Sequence, residues 1–275
     1  MAKKVKTAAP EVVPGRIPLG TLLSETRPKL DHFGLWLVGD TPLIVHAWSE
    51  KAKMEMLGKQ VGSVRVSRDK RDPKSDFINS LYAMEEGVYG FPITAIKKAV
   101  WSCAHKDRGI ARTDVQSSLW LDAQMVRVRP AHPRAVCDLP LVRIYGSDPE
   151  MREDMVRIGS GLKKTANLSY RAQFTVWAIR VTGSTNPQIV SVETLMFLFH
   201  QAGPAIGIGD WRNEKGGWAG AFHPGKPEEC DLWNAFAAGT GPLPKPVQAV
   251  RKVVDPKAKK AVHLTKRENN DAVTV

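Results

Sequence analysis

Asn167–Val181 reads NLSYRAQFTVWAIRV, with its residues sorted by a period of two. Leu168, Tyr170, Ala172, Phe174, Val176, Ala178 and Arg180 share one face, and Ser169, Arg171, Gln173, Thr175, Trp177, Ile179 and Val181 the other. An extended chain turns successive side chains to opposite sides, so this pattern predicts one long strand. Further on, Ser191 has a hydroxyl suited to the first open amides of a helix, and Leu195, Met196 and Phe199 recur at helical spacing until Gly203. The segment Ala205–Phe222, AIGIGDWRNEKGGWAGAF, reads as a glycine-rich hairpin closing the unit.

A strand, a helix and a returning strand make half of a ferredoxin-like α+β arrangement. Upstream, Phe33–Val38 and Leu43–Ala47 are short apolar runs separated by the turn sequence GDTP, and read as strands. Ser49 is placed to cap a helix over Glu50–Lys59, and a short helix is expected near Asp76–Met84. Thr94–His105, opened by Pro92, carries Ile96, Val100, Trp101 and Ala104 at helical spacing. Ser118–Arg129 and Leu139–Tyr145 read as strands, and Met151–Ile158 as a helix with Met151, Met155 and Ile158 on one side. Residues 1–30, with four prolines, read as an extended basic arm, and 241–275 as a disordered basic tail. One α+β domain, 31–240, is expected between them.

The chain has 275 residues, 43% hydrophobic and 25% charged, the balance of a globular protein with a sizeable core. No apolar run approaches the roughly 20 residues a membrane helix needs. The basic N-terminus is followed by no apolar stretch, so no secretory signal is expected. Cys103, Cys137 and Cys230 are too few and too scattered for a disulfide framework, which points to a reducing cytoplasm. The net charge is +12, and it is unevenly placed: residues 1–30 carry +4 and residues 242–275 carry +5. Gly62–Ser75 adds +3 through Arg65, Arg68, Lys70, Arg71 and Lys74, so the remainder is neutral overall. Cations gathered in this way suit a polyanion, because each phosphate they neutralise releases condensed counterions.

Gly207–Gly220 holds five glycines among Trp211, Arg212, Lys215 and Trp218. Glycine accepts positive φ and lets a backbone come close, arginine holds phosphate, and tryptophan stacks on bases. No phosphate-loop pattern, nucleophile elbow or metal-ligand spacing accompanies it, so neither a cofactor nor a metal is expected. Cys103, His105, His132 and Cys137 match no known site.

Two segments resemble the RAMP superfamily, which includes the backbone subunits of CRISPR effector complexes. Tyr89–Trp101, YGFPITAIKKAVW, resembles the family's mid-chain helix motif, and Gly207–Phe222 its closing glycine-rich stretch. The ending Gly-Ile-Gly-Asp-Trp-Arg also resembles a group of phage-encoded proteins. Asp210 and Glu214 depart from the family pattern, as does the lack of an arginine late in the mid-chain helix. The resemblance implies an RRM-type antiparallel sheet with helices on one face, binding single-stranded RNA or DNA and assembling side by side along it. By position, Lys97, Lys98, Arg212 and Lys215 would meet phosphates. The Arg65–Lys74 loop would form a finger toward the strand or a neighbouring copy. Some members cut RNA without a metal, and Asp40 and His46 match their catalytic positions. An assembly protein whose basic tails grip an acidic partner is the remaining alternative.

Overall fold

In the computed structural model, alternation along Asp31–Gly39 sends Leu35 and Leu37 to one side and Trp36 and Val38 to the other, and all four are buried. Residues 29–48, 50–62, 72–107, 109–128, 135–158 and 165–245 are described. The first elements are β1 (Asp31–Gly39), β2 (Leu43–Val45), α1 (Glu50–Val61), α2 (Pro73–Asn79), β3 (Ala83–Glu85) and β4 (Val88–Pro92). Then come α3 (Ile93–Asp107), α4 (Arg112–Ser118), β5 (Leu119–Leu121), β6 (Gln124–Arg127), β7 (Asp138–Gly146) and β8 (Glu150–Ile158). The chain continues through β9 (Thr165–Phe174), β10 (Trp177–Thr185), α5 (Val192–Ala205), β11 (Phe222–Pro224) and α6 (Pro227–Ala237).

The main sheet runs β11-β1-β10-β7-β4-β3. Within it, β1, α3, β7, β10, α5 and β11 form a βαββαβ unit with neighbouring strands antiparallel, the ferredoxin-like arrangement. The other elements are insertions. β4 and β3 widen the sheet beyond β7, and β5 and β6 pair with β10 and β7 respectively. β8 and β9 make a long ribbon that takes β2 as a third strand.

One core lies between the sheet and α3 and α5. Leu37, Ile179, Val181 and Trp177 meet Ile96, Val100, Leu195, Leu198 and Phe199, all at 1% exposure or less. α6 covers part of the opposite face, where Trp233 stacks on Trp36 at 6.1 Å and Asn234 Oδ1 accepts from Trp36 Nε1 at 2.9 Å. Helices therefore flank both faces, α6 being an addition to the expected pair. Among the described residues no helix is long and apolar enough to cross a membrane.

Several local readings differ from expectation: the short helix is Pro73–Asn79 rather than Asp76–Met84, and Ser118–Arg129 holds two strands, β5 and β6, on different partners. The long strand is two: the chain bends at Thr175–Val176 and passes from the ribbon into the main sheet. Ser147 holds that bend, its amide donating to Val176 O at 2.9 Å and its hydroxyl accepting from Val176 N at 3.3 Å. Met151–Ile158 is a strand, because its full-length register with β9 satisfies its backbone groups along a sheet edge. α5 runs through Gly203 and Pro204 to Ala205; a side chain at Gly203 would overlap the Phe222 carbonyl, so this glycine admits β11.

His223 ties α6 down. Its Nδ1 lies 2.8 Å from Asp40 Oδ1 and its Nε2 3.1 Å from Glu229 Oε2. The Asp40 bond, and then Glu229, hold its pKa above the ordinary histidine value against the opposing effect of burial. A raised pKa contributes stability that is complete below the unfolded value and is lost as pH rises through the folded one. Thermal unfolding across pH 6–9 is expected to show wild type above His223→Gln at pH 6, with the gap closing toward pH 9. A constant gap would mean that the protonated ring stabilises nothing.

Candidate functional site

Lys97 and Lys98 are adjacent on α3, and one helical step turns them about 100° apart, so they serve different surfaces. Lys98 is exposed on the wall of a cleft of about 480 Å³, while Lys97 Nζ lies 5.9 Å from the Trp120 ring centre. The cleft opens between α3, the end of β2 and the loop after α5, and His46, Trp48, Tyr82, Lys98, Asp210 and Arg212 line it. A second cleft of about 460 Å³ shares Trp48, Tyr82 and Pro92 with the first, and extends toward Ile78 of α2 and Cys137 before β7. Trp48 stands at their common wall, 59% exposed.

The glycine-rich segment is a loop around the short 3₁₀ turn Asn213–Lys215. Gly207 ends α5 with φ +71° and its amide on Ala202 O at 2.9 Å, the geometry of a left-handed helix cap. The loop lies along β2, Asp210 N donating to Ile44 O at 2.9 Å. Side chains added at Gly217 and Gly220 would overlap the carbonyls of Trp211 and Ile208, so these glycines pack the chain against itself. Trp211 takes φ +55°, a strained value for a bulky residue.

Asp210 organises the cleft floor. Its Oδ2 lies 3.3 Å from His46 Nδ1 and 3.2 Å from Arg171 Nε. The His46 contact, with Arg171 and Arg212 adding to it, holds its pKa below the usual carboxylate value although burial opposes the shift. Arg212 is tied to Glu214 at 2.7 Å and donates to Gly209 O at 3.1 Å. Tyr82 donates its hydroxyl to His46 O at 3.2 Å. Burial first, and then Asp210, raises the Tyr82 pKa.

The structure thus brings His46, Lys98 and Arg212 together in one cleft. Asp40 lies apart from its lining, engaged with His223. Trp211 and Trp218 are 37% and 47% exposed, and Trp218 stacks on the Arg152 guanidinium at 5.3 Å. Asp154 and Gln173 fix Arg152 at 2.9 Å each. Lys215 is exposed on its turn and Lys74 on α2. Arg65, Arg68, Lys70 and Arg71 lie outside the described residues.

Trp48, Tyr82 and Arg171 escaped the sequence reading. Trp48 had one signal, a large aromatic residue following a strand where a helix cap begins. Arg171 sits on the polar face of β9, and only folding brings Asp210 to it. Among the described residues no cluster of His, Cys, Asp or Glu is placed to hold a metal ion.

No protein-family model matches the chain, and no curated protein matches it. Among solved structures it is similar to Cmr6 from Pyrococcus furiosus, at 10% sequence identity and a TM-score of 0.33, over 72% of this chain and 99% of that one.

Proposed function

We propose that this chain binds single-stranded nucleic acid, RNA or DNA, without cleaving it. The strand lies along the two adjoining clefts with a base on Trp48 and a phosphate at Lys98, and successive copies seat side by side on a longer strand. The observation that carries this reading is the half-solvated Trp48 ring at the shared wall of two grooves, with Lys98 on the helical wall of the first and Lys53 lining the second. Every base has a π-face, so such a platform binds without sequence preference. The net charge of +12 supports the same class of partner. Asp210 and Glu214 already engage Arg171, His46 and Arg212, so stacking carries more of the affinity here than phosphate contacts do.

Fluorescence anisotropy with labelled oligonucleotides tests it. Trp48→Ala is expected to weaken binding by about 5- to 150-fold, the loss of one base stack, while Trp48→Phe retains most of it. Equal affinity for Trp48→Ala and wild type would overturn the reading.

A second reading has one specific observation in its favour. His46 is half exposed in the cleft with Asp210 at its Nδ1, an arrangement that would orient the ring as a general base toward a ribose 2′-hydroxyl. Labelled RNA incubated with the chain and EDTA decides it: cleavage abolished by His46→Ala supports a nuclease, and intact RNA ends that reading.

A further inference from the structure

We propose that the part of the main sheet left uncovered by α6 is a second contact for the same single strand, with a base on Trp120 and phosphates at Arg143 and Arg180. The assignment rests on the reading of the chain as a single-strand binder, but on residues apart from the cleft.

Register places these groups on one face. β1 and β10 pair Trp36 with Arg180, Gly34 with Thr182 and His32 with Ser184. β5 sets Trp120 opposite Ser184, and Thr182 Oγ1 donates to Asp122 Oδ2 at 2.9 Å, so Trp120 and Asp122 lie on the same side. On the other flank β7 sets Tyr145 opposite Ala178, and Arg143 lies two residues earlier on that face. α6 packs on Trp36, Val38 and Ala178, with Tyr145 at the margin. Beyond that contact Arg180, Thr182, Gly34, His32 and Arg143 are exposed, and Trp120 is 69% exposed.

Folding does not account for this composition. Arg143 and Arg180 sit on neighbouring strands one step past the last register pair, Ile144 with Ile179, and like charges so placed repel. Among the described residues neither guanidinium forms an ion pair; Arg143 instead lies 4.7 Å from the Tyr145 ring centre. Lys97 brings a third cation, 5.9 Å from the Trp120 ring centre, and Asp122, the acid on this face, is engaged by Thr182. Gly34 keeps the surface flat, although a side chain there would meet only Thr182 Cγ2 at 3.6 Å. A mostly solvated indole and two arginines on one sheet face, with Lys97 reaching the ring from α3, complement bases joined by phosphates.

The test uses the full chain with 5′-fluorescein 20-nucleotide oligo(U) and oligo(dT) across a salt series. Trp120→Ala is expected to weaken binding about 5- to 150-fold while Trp120→Phe stays near wild type. Arg143→Glu/Arg180→Glu is expected to reduce the salt slope by about 1.4, the value for two phosphate contacts on a single strand. Unchanged affinity in Trp120→Ala and an unchanged slope in the double variant, with Trp48→Ala weakened, would remove the sheet contact and leave the cleft reading standing. Loss in Trp120→Ala with Trp48→Ala unaffected would keep the sheet contact and remove the cleft; no loss in any variant would end both. Should a variant fail to fold, photocrosslinking wild type to 5-iodouracil oligonucleotides decides instead. An adduct on the Trp120 peptide supports the proposal, and adducts confined to the Trp48 peptide overturn it.

Discussion

Trp177→Ala is expected to lower stability by about 3–5 kcal/mol, the usual effect of truncating a buried tryptophan. Trp177 is 1% exposed and begins β10, where the chain leaves the ribbon and enters the main sheet. Its Nε1 donates to Thr41 O at 2.7 Å, which pins the turn between β1 and β2. Gly39 lacks a Cβ where the indole passes, and a side chain there would overlap the ring, so this glycine makes the seat for Trp177. Against a typical total of about 5–15 kcal/mol, this one truncation removes a large fraction of the margin. Urea unfolding followed by circular dichroism measures it. Trp177→Phe, which keeps a ring and loses the hydrogen bond, is expected to fall between the two. A Trp177→Ala value within 1 kcal/mol of wild type would contradict the assignment of Trp177 to the core.

Gly220→Ala is expected to be nearly as damaging, at about 2–5 kcal/mol. Two effects add: φ of +68° costs a residue with a side chain about 1–2 kcal/mol, and a Cβ there would overlap the Ile208 carbonyl and force a backbone shift. Gly216→Ala is the matched control. Its φ is +75°, but nothing lies within 4 Å of an added Cβ, so only the conformational penalty of about 1–2 kcal/mol applies. Thermal melts of the two variants compare them. If Gly216→Ala melted lower than Gly220→Ala, the loop would not pack as described. The contrast also bears on what the glycines do: Gly217 and Gly220 let main chain approach main chain within the protein, and Gly207 caps a helix.

How far the sequence could be read depended on the kind of signal. Apolar runs in Phe33–Val38 and Leu139–Tyr145 and helical spacing in Thr94–His105 located β1, β7 and α3, because what a short segment buries is written in its own residues. Alternation in Asn167–Val181 announced extended chain but not the break at Thr175–Val176, since a period of two is the same in either sheet. Spacing in Met151–Ile158 admitted a helix and a strand alike, and pairing with β9 decided between them. The site divided in the same way. Lys98, Arg212 and His46 were legible as residue types beside recognisable motifs. Trp48, Arg171 and Trp120 acquire meaning only from neighbours far away in the chain.

From residue order alone follow the α+β class, the order of the ferredoxin-like elements, the charge and its concentration outside the neutral core, and the glycine-rich loop. Those properties are local or additive, fixed by what each short segment can bury or carry. Tertiary structure alone decided that Asp210 meets Arg171 and His46, that Asp40 binds His223 rather than joining His46, and that α6 packs on Trp36, Val38 and Ala178 of one sheet face. Such pairings join residues tens to nearly two hundred positions apart, and their energies exist only once the packed core has brought the partners within reach.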